Sequence, residues 1–369
     1  MKLMKTTEAV GQVLCHDITQ IIPGVKKDAV FRKGHIITKE DIPVLLSVGK
    51  DTIYIWENDE TMMHENEAAE VLYRMSACGT NSNEADAERH CEATESGVFG
   101  GAASKMHPSP VKEGKIEVIA DCDGLLKVDS EKLKKVNSFG EMMIATRHGN
   151  TTVKKGDKLA GTRIIPLVIK NDKLEAASHI CDDGPILDIK PFEVRKAAII
   201  TTGNEVYHGR IQDAFTPVIE KKIAEFGAHM MFHEVFDDDD QKITDGCLRA
   251  IEAGAEIVFC TGGMSVDPDD KTPLAIKNTG ARIVSYGSPV LPGAMFLLSY
   301  YDAGDRLVPI CGLPGCAMYN KRTIFDIVLP RLMACDMILA DELAGLGEGG
   351  LCLNCDVCTF PNCGFGKGF

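Results

Sequence analysis

The chain has 369 residues, of which 44% are apolar and 25% charged, a composition typical of a globular protein with room for two or three domains. Its formal net charge of −14 argues against non-specific binding to a nucleic-acid backbone, but not against a small anion bound by backbone N–H groups. The sequence has no signal-peptide pattern at its start and no uninterrupted apolar stretch of about 18 residues, so we expect a cytoplasmic protein without membrane contact.

The first 192 residues are predicted to be mostly β. Residues 1–75 contain the strand-like segments GQVLCHDIT and DTIYIWE, a helix with Thr38 as its N-cap, and an amphipathic helix over residues 61–75. Residues 76–112 lack apolar periodicity and are rich in small and polar residues, which predicts a flexible insertion. Residues 113–192 are predicted to form a mixed β domain that includes a hairpin turning at residues 155–157.

From residue 193 to residue 338 the pattern changes to alternating strands and helices. The dipeptides Thr216-Pro217 and Thr272-Pro273 each suit an N-cap followed by a first-turn proline. The last helix is predicted from near Gly315 to about Leu329. Such alternation predicts an α/β fold, here a doubly wound three-layer α/β/α domain that follows mixed, mostly β N-terminal domains.

Polar and glycine residues follow the first two predicted strands of this domain, at the edge where open α/β sheets bind ligands. Gly203 allows a sharp turn after the first strand, and Asn204 and Glu205 follow it. Four aspartates at positions 237–240 follow the second strand. Acids there suit a helix N-terminus, and Asp238 also suits a magnesium ligand.

The third loop combines glycines, hydroxyls and acids. Thr261, Gly262, Gly263 and Ser265 offer backbone amides and hydroxyl groups to an anion, and Asp267 and Asp270 follow them before the next helix. The spacing differs from that of a P-loop, because GxxxxGK[ST] is absent. We expect a phosphate bridged to a metal ion at this turn.

Two later loops combine proline with glycine: Pro292 and Gly293 in PVLPG, and Pro314 and Gly315 in GLPGC. The second loop is predicted to open the final helix, whose free N–H groups would attract a phosphate. The alternative for both is a rigid turn that only joins a strand to a helix. Arg147 and His148 offer a similar choice between a neighbouring site and a surface loop.

The order of the loops TTGNEV, VFDDDD, CTGGMSVDPDDKTP, PVLPG and GLPGCAM resembles the molybdopterin-binding domain of the molybdenum-cofactor biosynthesis family. That family includes molybdopterin adenylyltransferases and molybdopterin molybdotransferases. The resemblance covers about residues 196–335, and residues 1–60 are more loosely similar to the molybdotransferase N-terminal region. It implies insertion of molybdate into the pterin with hydrolysis of adenylylated molybdopterin, in a homodimer that supplies a molybdoenzyme.

The resemblance also implies a role for each loop. Asp238 and Asp270 would be the catalytic acids and would bind Mg²⁺, which polarises phosphate oxygens. The residues that would bind molybdopterin are Gly203, Asn204, Glu205, Thr261, Gly262, Gly263, Ser265, Asp267, Pro292, Gly293, Pro314 and Gly315.

The chain departs from the family pattern at three of its loops. Asn204 stands where molybdotransferases usually have an acid, Asp267 where they have glycine, and Cys316 where they have asparagine. Two other functions therefore stay open. One is a non-catalytic molybdopterin carrier for a molybdoenzyme, which the missing acid favours. The other is a nucleotide pyrophosphatase of the competence-damage-inducible type.

Residues 345–369 are predicted to be a metal-binding tail. Cys352, Cys355, Cys358 and Cys363 have the spacing C-x₂-C-x₂-C-x₄-C. The first three match the spacing of bacterial ferredoxin ligands, whereas the fourth differs in its gap and in the position of Pro361. An iron–sulfur cluster, a Cys₄ zinc site and unliganded thiols are the alternatives. Structural disulfides are not expected in a reducing cytoplasm.

Overall fold

The computed structural model of the protein describes residues 2–22, 26–55, 59–79, 105–265 and 270–368. The chain divides into two compact units. The N-terminal unit comprises Met1–Asp121, Val128–Arg147 and Lys155–Asp188, and the C-terminal unit comprises Cys122–Lys127, His148–Lys154 and Ile189–Phe369. In the described parts of the chain, no helix has both the length and the apolar character needed to cross a membrane.

The N-terminal unit combines small antiparallel sheets with short helices. Its strands are β1 (Lys2–Lys5), β2 (Ile18–Ile22), β3 (Lys26–Phe31), β4 (Thr52–Ile55), β5 (Met62–His64), β6 (Met106–Pro108), β7 (Lys115–Ala120), β9 (Met142–Thr146), β11 (Lys158–Ile164) and β12 (Val168–Lys170). Its helices are α1 (Asp41–Ser47), α2 (Glu65–Ala77), α3 (Ser130–Asn137) and α4 (Asn171–Ser178). A separate sheet of order β10-β8-β13 contains β8 (Gly124–Val128), β10 (Thr151–Val153) and β13 (Leu187–Lys190).

The predicted helix over residues 61–75 is present but begins later. Residues 62–64 form β5, and α2 starts after His64, whose side chain accepts a hydrogen bond from the Asn66 amide. The predicted insertion over residues 76–112 is too wide at both ends, because α2 continues to Ala77 and β6 begins at Met106. The centre of that insertion, residues 80–104, lies outside the described residues.

The hairpin predicted around residues 155–157 is wrong. The strands on either side of that turn do not pair with each other: β10 pairs with β8, whereas β11 pairs with β7 and β9. A local turn signal cannot reveal this, because the partners of each strand come from distant parts of the chain.

The C-terminal unit is built on a six-stranded sheet of order β15-β14-β16-β19-β18-β17. The strands are β14 (Lys196–Thr202), β15 (His229–Phe236), β16 (Ile257–Thr261), β17 (Arg282–Tyr286), β18 (Leu297–Asp302) and β19 (Leu307–Leu313). The helices are α5 (Asn204–Tyr207), α6 (Phe215–Ala224), α7 (Asp240–Glu252), α8 (Thr272–Asn278), α9 (Ile324–Met333) and α10 (Ala340–Gly345). Strands β15, β14, β16 and β19 are parallel, and β18 and β17 continue the sheet in antiparallel pairs.

Both faces of this sheet are covered. Ile199 and Phe259 lie in one apolar core with side chains of α6, α9 and α10. Their chain neighbours Ile200 and Cys260 lie in a second core with side chains of α7 and α8. Strands buried on both faces are apolar at successive positions, as β14 and β16 are here. The predicted doubly wound three-layer α/β/α fold is therefore confirmed.

The final helix differs most from its prediction. Gly315–Ala317 is a 3₁₀ turn, and α9 begins only at Ile324. Thr323 caps the helix by accepting from the Phe325 amide, and Asp326 completes a capping box by accepting from the Thr323 amide. The helix also continues through its internal proline to Met333. The GLPG loop therefore does not provide a helix N-terminus.

Candidate functional site

The candidate site lies at the carboxyl ends of β14 and β16. These strands are neighbours in the sheet, but the chain leaves them toward opposite faces: α6 follows β14 and packs in one core, whereas α8 follows β16 and packs in the other. In open α/β sheets such divergence creates the crevice in which ligands usually bind, at the topological switch point. The loops that begin at Gly203 and Gly262 lie at this point of the sheet.

The Thr261-Gly262-Gly263 turn, which we call the TGG turn, has no room for a side chain at either glycine. Gly262 and Gly263 have φ values of +83° and +55°. A Cβ atom on Gly262 would lie 2.1 Å from the Thr202 carbonyl oxygen, and one on Gly263 would lie 2.8 Å from the Thr272 hydroxyl. Both glycines are therefore needed for close backbone packing as well as for the turn.

Two buried threonine hydroxyls fix the TGG turn. The Thr202 hydroxyl lies 3.1 Å from the Thr261 carbonyl oxygen and 3.0 Å from the Thr272 hydroxyl. The Thr272 hydroxyl lies 2.8 Å from the Gly262 carbonyl oxygen, and its amide donates to the Gly263 carbonyl oxygen at 3.2 Å. Sequence reasoning missed this role of Thr202 and misread Thr272 as an N-cap, since Lys271 occupies that position.

The loop after β14 is tied to the acidic loop after β15. Gly203, with φ +133°, precedes the short helix α5, and its amide donates to the Phe236 carbonyl oxygen. The Asp238 carboxylate accepts a hydrogen bond from the Asn204 amide at 3.2 Å. A carboxylate predicted to be catalytic thus also stabilises the adjacent loop. Glu205 lies beside Gly203, 3.0 Å from the position of its missing Cβ.

Asp239, not Asp238, caps helix α7. Its carboxylate accepts hydrogen bonds from the Gln241 and Lys242 amides, and Lys242 forms a 2.7 Å ion pair with Asp237. The helix-capping interpretation of this aspartate run therefore holds for Asp239. It leaves the role of Asp238 at the crevice as a prediction.

The predicted acids after the TGG turn are only partly described. Asp267 lies outside the described residues, whereas Ser265 is exposed and Asp270 is partly exposed. Tyr286, at the end of β17, donates a hydrogen bond to the Met264 carbonyl oxygen at 3.3 Å. Burial raises the pKa of the Tyr286 hydroxyl, and the nearby Asp270 charge raises it further. Tyr286 is a neighbour of the site that sequence spacing did not reveal.

The PVLPG and GLPG loops reach the same edge of the sheet, because Leu297 at the start of β18 pairs with Gly312 near the end of β19. Gly293 packs against Ile324: an added Cβ would lie 2.4 Å from the isoleucine Cγ2. The Pro292 carbonyl oxygen accepts from the Ile324 amide at 3.1 Å. Pro314 and Gly315 begin the 3₁₀ turn, and a Cβ on Gly315 would meet open space.

A second polar cluster lies at the start of α6. The Asp213 carboxylate accepts from the Phe215 and Thr216 amides and from the Thr201 hydroxyl. Burial opposes ionisation of this carboxyl, but hydrogen bonds from Thr216 and Thr201 lower its pKa. His233 lies 3.5 Å from the carboxylate. The N-cap of α6 is Ala214 and not the predicted Thr216. The Asp213 carboxylate accepts the amides of the first two helical residues, and the cluster explains the structure of the loop without a ligand.

No preformed metal site occurs among the described residues. They contain no group of three or more His, Cys, Asp or Glu side chains arranged around one ion position. Arg147, proposed as a possible neighbour of the site, is paired with Asp157 at 2.8 Å, which suits the surface-loop interpretation.

Together the crevice, the TGG turn and its hydroxyl network define a class: a doubly wound α/β domain with a glycine-and-hydroxyl loop at its switch point. Residues 198–334 match the family model described as "Probable molybdopterin binding domain". The five loops that carry the resemblance all lie within this match, which confirms the resemblance that their order predicts. Residues 3–57 match a second model, described as a domain of unknown function (DUF8806).

Curated relatives match parts of the chain. A molybdopterin adenylyltransferase from Pyrococcus furiosus is 26% identical over 131 residues, which cover 32% of this chain and 77% of the relative. A molybdopterin molybdenumtransferase from Nostoc sp. is 23% identical over 197 residues, 52% of this chain and 42% of the relative. A Bacillus subtilis protein named "Putative competence-damage inducible protein" is 30% identical over 88 residues, and the match spans about a fifth of its length, 21%.

Solved structures also match part of the chain. The tungsten cofactor synthesizing protein MoaB from Pyrococcus furiosus aligns with 38% of this chain and 89% of its own, at 19% identity and a TM-score of 0.31. A CinA protein from Thermoplasma acidophilum aligns with 38% of this chain and 98% of its own, at 17% identity and a TM-score of 0.31.

Proposed function

We propose that the C-terminal unit binds molybdopterin, or its adenylylated form, and acts as a transferase that inserts molybdate into it. The observation that carries this proposal is the TGG turn, held by Thr202 and Thr272 at the switch point of a molybdopterin-binding domain. A turn that is already rigid binds an anion without first losing conformational entropy.

In this proposal the chain positions a phosphate and a leaving nucleotide. Amides of Gly262 and Gly263 and the hydroxyl of Ser265 donate to oxygens at the phosphate end of the pterin. Water adds to a phosphorus of the pyrophosphate linkage, the bridging P–O bond breaks, and AMP leaves. Asp270 is proposed to orient the water or accept its proton. The remaining loop residues are proposed to hold the pterin: Gly203, Asn204, Glu205, Thr261, Asp267, Pro292, Gly293, Pro314 and Gly315.

Magnesium remains a prediction of the family resemblance. The described acids do not form a site for it on their own, so we derive no step that passes through the ion. Magnesium commonly binds through one or two carboxylates together with substrate phosphates and water. A dependence of ligand binding on Mg²⁺, measured by calorimetry with and without the ion, tests this prediction.

The alternative that a specific contact favours is a carrier that binds molybdopterin without turnover. The Asp238 carboxylate accepts the Asn204 amide in the loop, and Asn204 is itself uncharged where molybdotransferases usually have an acid. A site with fewer free carboxylates retains anion binding but has less capacity for acid–base chemistry.

The two functions are separated by turnover of purified protein with adenylylated molybdopterin, molybdate and Mg²⁺. The transferase proposal expects AMP release that falls at least 100-fold in Asp270→Asn, within the usual contribution of a general acid or base of about 10² to 10⁴. Asp245→Asn is the matched control, since Asp245 is an exposed acid on α7. AMP release that is equal in both variants contradicts the role of Asp270, and tight binding without AMP release supports the carrier.

The homodimer and the client molybdoenzyme that the resemblance implies are also proposals. Light scattering of the purified chain distinguishes one copy from two.

A further inference from the structure

The C-terminal cysteine segment, residues 347–368, has a defined path in the C-terminal unit. Phe365 is buried in the core formed with α6 and α9. Gly350 permits a close backbone contact, because a Cβ on this residue would lie 2.3 Å from the Pro289 carbonyl oxygen. An anchored side chain and close backbone packing fix the walls of the cavity that the segment forms.

The cavity has a volume of about 230 Å³ and a largely apolar wall. Its apolar lining consists of Leu351, Leu353, Phe360, Phe365 and the four cysteines of the segment. Leu351 and Leu353 are 63% and 78% exposed, so the apolar wall continues to the protein surface. A packed core fills such a space with side chains, whereas an open apolar cavity is typical of a ligand site. An apolar cavity of about 150 Å³ is enough to hold benzene, so this one has room for an aromatic ring or a short alkyl chain.

The thiols of this wall do not identify a metal ligand. In the parts of the chain that the structure describes, which include all four cysteines, no group of three or more His, Cys, Asp or Glu side chains could hold a metal ion. A metal at these cysteines stays a prediction of the sequence. A reduced cysteine also behaves as a small apolar side chain, and the class of ligand follows from the rest of the wall.

The charged side chains that line the cavity are both cationic, Lys321 and Arg322. The Lys321 ammonium donates to the Cys355 and Asp356 carbonyl oxygens at 3.4 and 3.1 Å, and these neutral acceptors do not cancel its charge. The Arg322 guanidinium carbon lies 5.0 Å from the centroid of the Phe360 ring, a stacked position at the apolar wall. In a chain with a formal net charge of −14, two cations beside an apolar cavity favour an anionic ligand.

The carboxylate that pairs with Arg322 neutralises it only in part. Arg322 donates to the buried Asp326 carboxylate at 2.9 Å, and the Lys222 ammonium donates to the same oxygen. One carboxylate shared by two cations leaves one positive charge in this group. Asp326 and Lys222 line an adjoining recess of about 120 Å³, whose wall also contains Glu225 and Lys367, two residues of opposite charge.

We propose that this cavity binds a small organic anion, with its ring or alkyl chain against the leucines and Phe360 and its carboxylate or phosphate at Lys321 and Arg322. The planar guanidinium matches the geometry of both anionic groups, and an ammonium adds a point charge. An apolar pocket with a few polar groups that fix orientation is the usual form of a small-molecule site. No residue of the TGG turn lines the cavity, so the proposal is independent of the pterin site.

The ligand class is tested by calorimetric titration of the whole protein with phenylpropionate and with phenyl phosphate. We expect at least one of them to bind with a dissociation constant below about 1 mM, and the tighter of the two identifies the anionic group. Phenylpropanol and phenylpropylamine have a similar apolar part without the negative charge, and each should bind at least about tenfold more weakly. Binding of neither anion, or equal binding of the alcohol or the amine, overturns the proposal.

The position of the site is tested with Gly364→Leu. Gly364 lines the cavity, and a Cβ on it would meet nothing within 4 Å, so the larger side chain occupies the space without a clash at its first atom. We expect at least a tenfold loss of anion affinity. Gly161→Leu is the matched control, because a Cβ on Gly161 in β11 also meets nothing within 4 Å. Equal affinity of the two variants for the anion overturns the assignment of the site.

The charge at the cavity is tested with Lys321→Gln, which keeps an amide donor for the two carbonyl oxygens but removes the positive charge. Affinity for the anion should fall about tenfold, whereas the weak affinity for phenylpropanol should not change. Lys277→Gln is the control, since Lys277 is an exposed lysine on α8. Equal anion affinity in these two variants contradicts the proposed role of Lys321, and this comparison holds whether or not Gly364→Leu folds.

Discussion

The TGG turn and the cysteine segment, residues 347–368, both lie in the C-terminal unit, but different interactions stabilise them. The TGG turn is fixed by hydrogen bonds of buried threonine hydroxyls and by glycines that allow backbone contact. The cysteine segment is anchored by Phe365 and by its glycines, while two of its four cysteines remain exposed around a cavity. The comparison teaches that buried hydroxyls and glycines organise one loop, whereas an aromatic side chain anchored in the apolar core organises the other.

The largest effect is expected from removing the anchor of the cysteine segment. Phe365→Ala should lower the free energy of unfolding by about 3–5 kcal/mol, since a buried aromatic ring leaves a cavity. Leu353→Ala is the control, because that side chain is 78% exposed and should change stability by less than about 0.5 kcal/mol. Urea unfolding measures both. If Phe365→Ala and Leu353→Ala both lowered the free energy of unfolding by a similar small amount, the cysteine segment would not be part of the folded core.

A slightly smaller effect is expected in the TGG turn. Gly262→Ala should cost about 3 kcal/mol, which combines left-handed strain with overlap of the Thr202 carbonyl oxygen. Gly280→Ala isolates the strain: its φ is +84° against +83° for Gly262, but a Cβ there meets nothing within 4 Å. It should cost only about 1–2 kcal/mol. Equal costs in urea unfolding would show that the close approach to Thr202 is not a constraint.

The smallest of these effects concerns the hydroxyls. Thr202→Val should cost about 1–3 kcal/mol, because it removes a hydroxyl bonded to the Thr261 carbonyl oxygen and to Thr272. Thr261→Val should be nearly neutral, since the Thr261 hydroxyl is buried without a hydrogen-bond partner in the described structure. The melting temperatures of the two variants provide the measurement. If Thr261→Val lowered the melting temperature more than Thr202→Val, this assignment of the hydroxyl hydrogen bonds would be wrong.

Local sequence patterns predicted much of the fold because they reflect local physics. Apolar runs identified β14 and β16, and the alternation with helices predicted a sheet covered on both faces. The TGG motif predicted a turn that only glycine allows, and the structure has positive φ at both glycines. The loops that carry the family resemblance were found in the same way, and the domain match over residues 198–334 agrees with them.

Other features could not be found locally, because their partners are far apart in the chain. Thr202 and Thr272 meet 70 positions apart, and no spacing rule connects two single threonines. Helix α9 begins at Ile324 rather than near Gly315, because the Thr323 and Asp326 side chains accept hydrogen bonds from backbone amides at this helix start. Gly315 has no side chain that could accept them. The predicted hairpin failed because β10 and β11 join different sheets.

The sequence by itself determined the doubly wound sheet, the glycine turn at its edge and the presence of four closely spaced cysteines, since each depends on residues near one another in the chain. Only the tertiary structure decided which side chains hold that turn, where the last helix begins, and that the four thiols share one cavity beside Leu291. Packing and hydrogen bonding between distant residues set these features, because a buried polar group such as the Thr202 hydroxyl takes the partners that the whole fold brings to it.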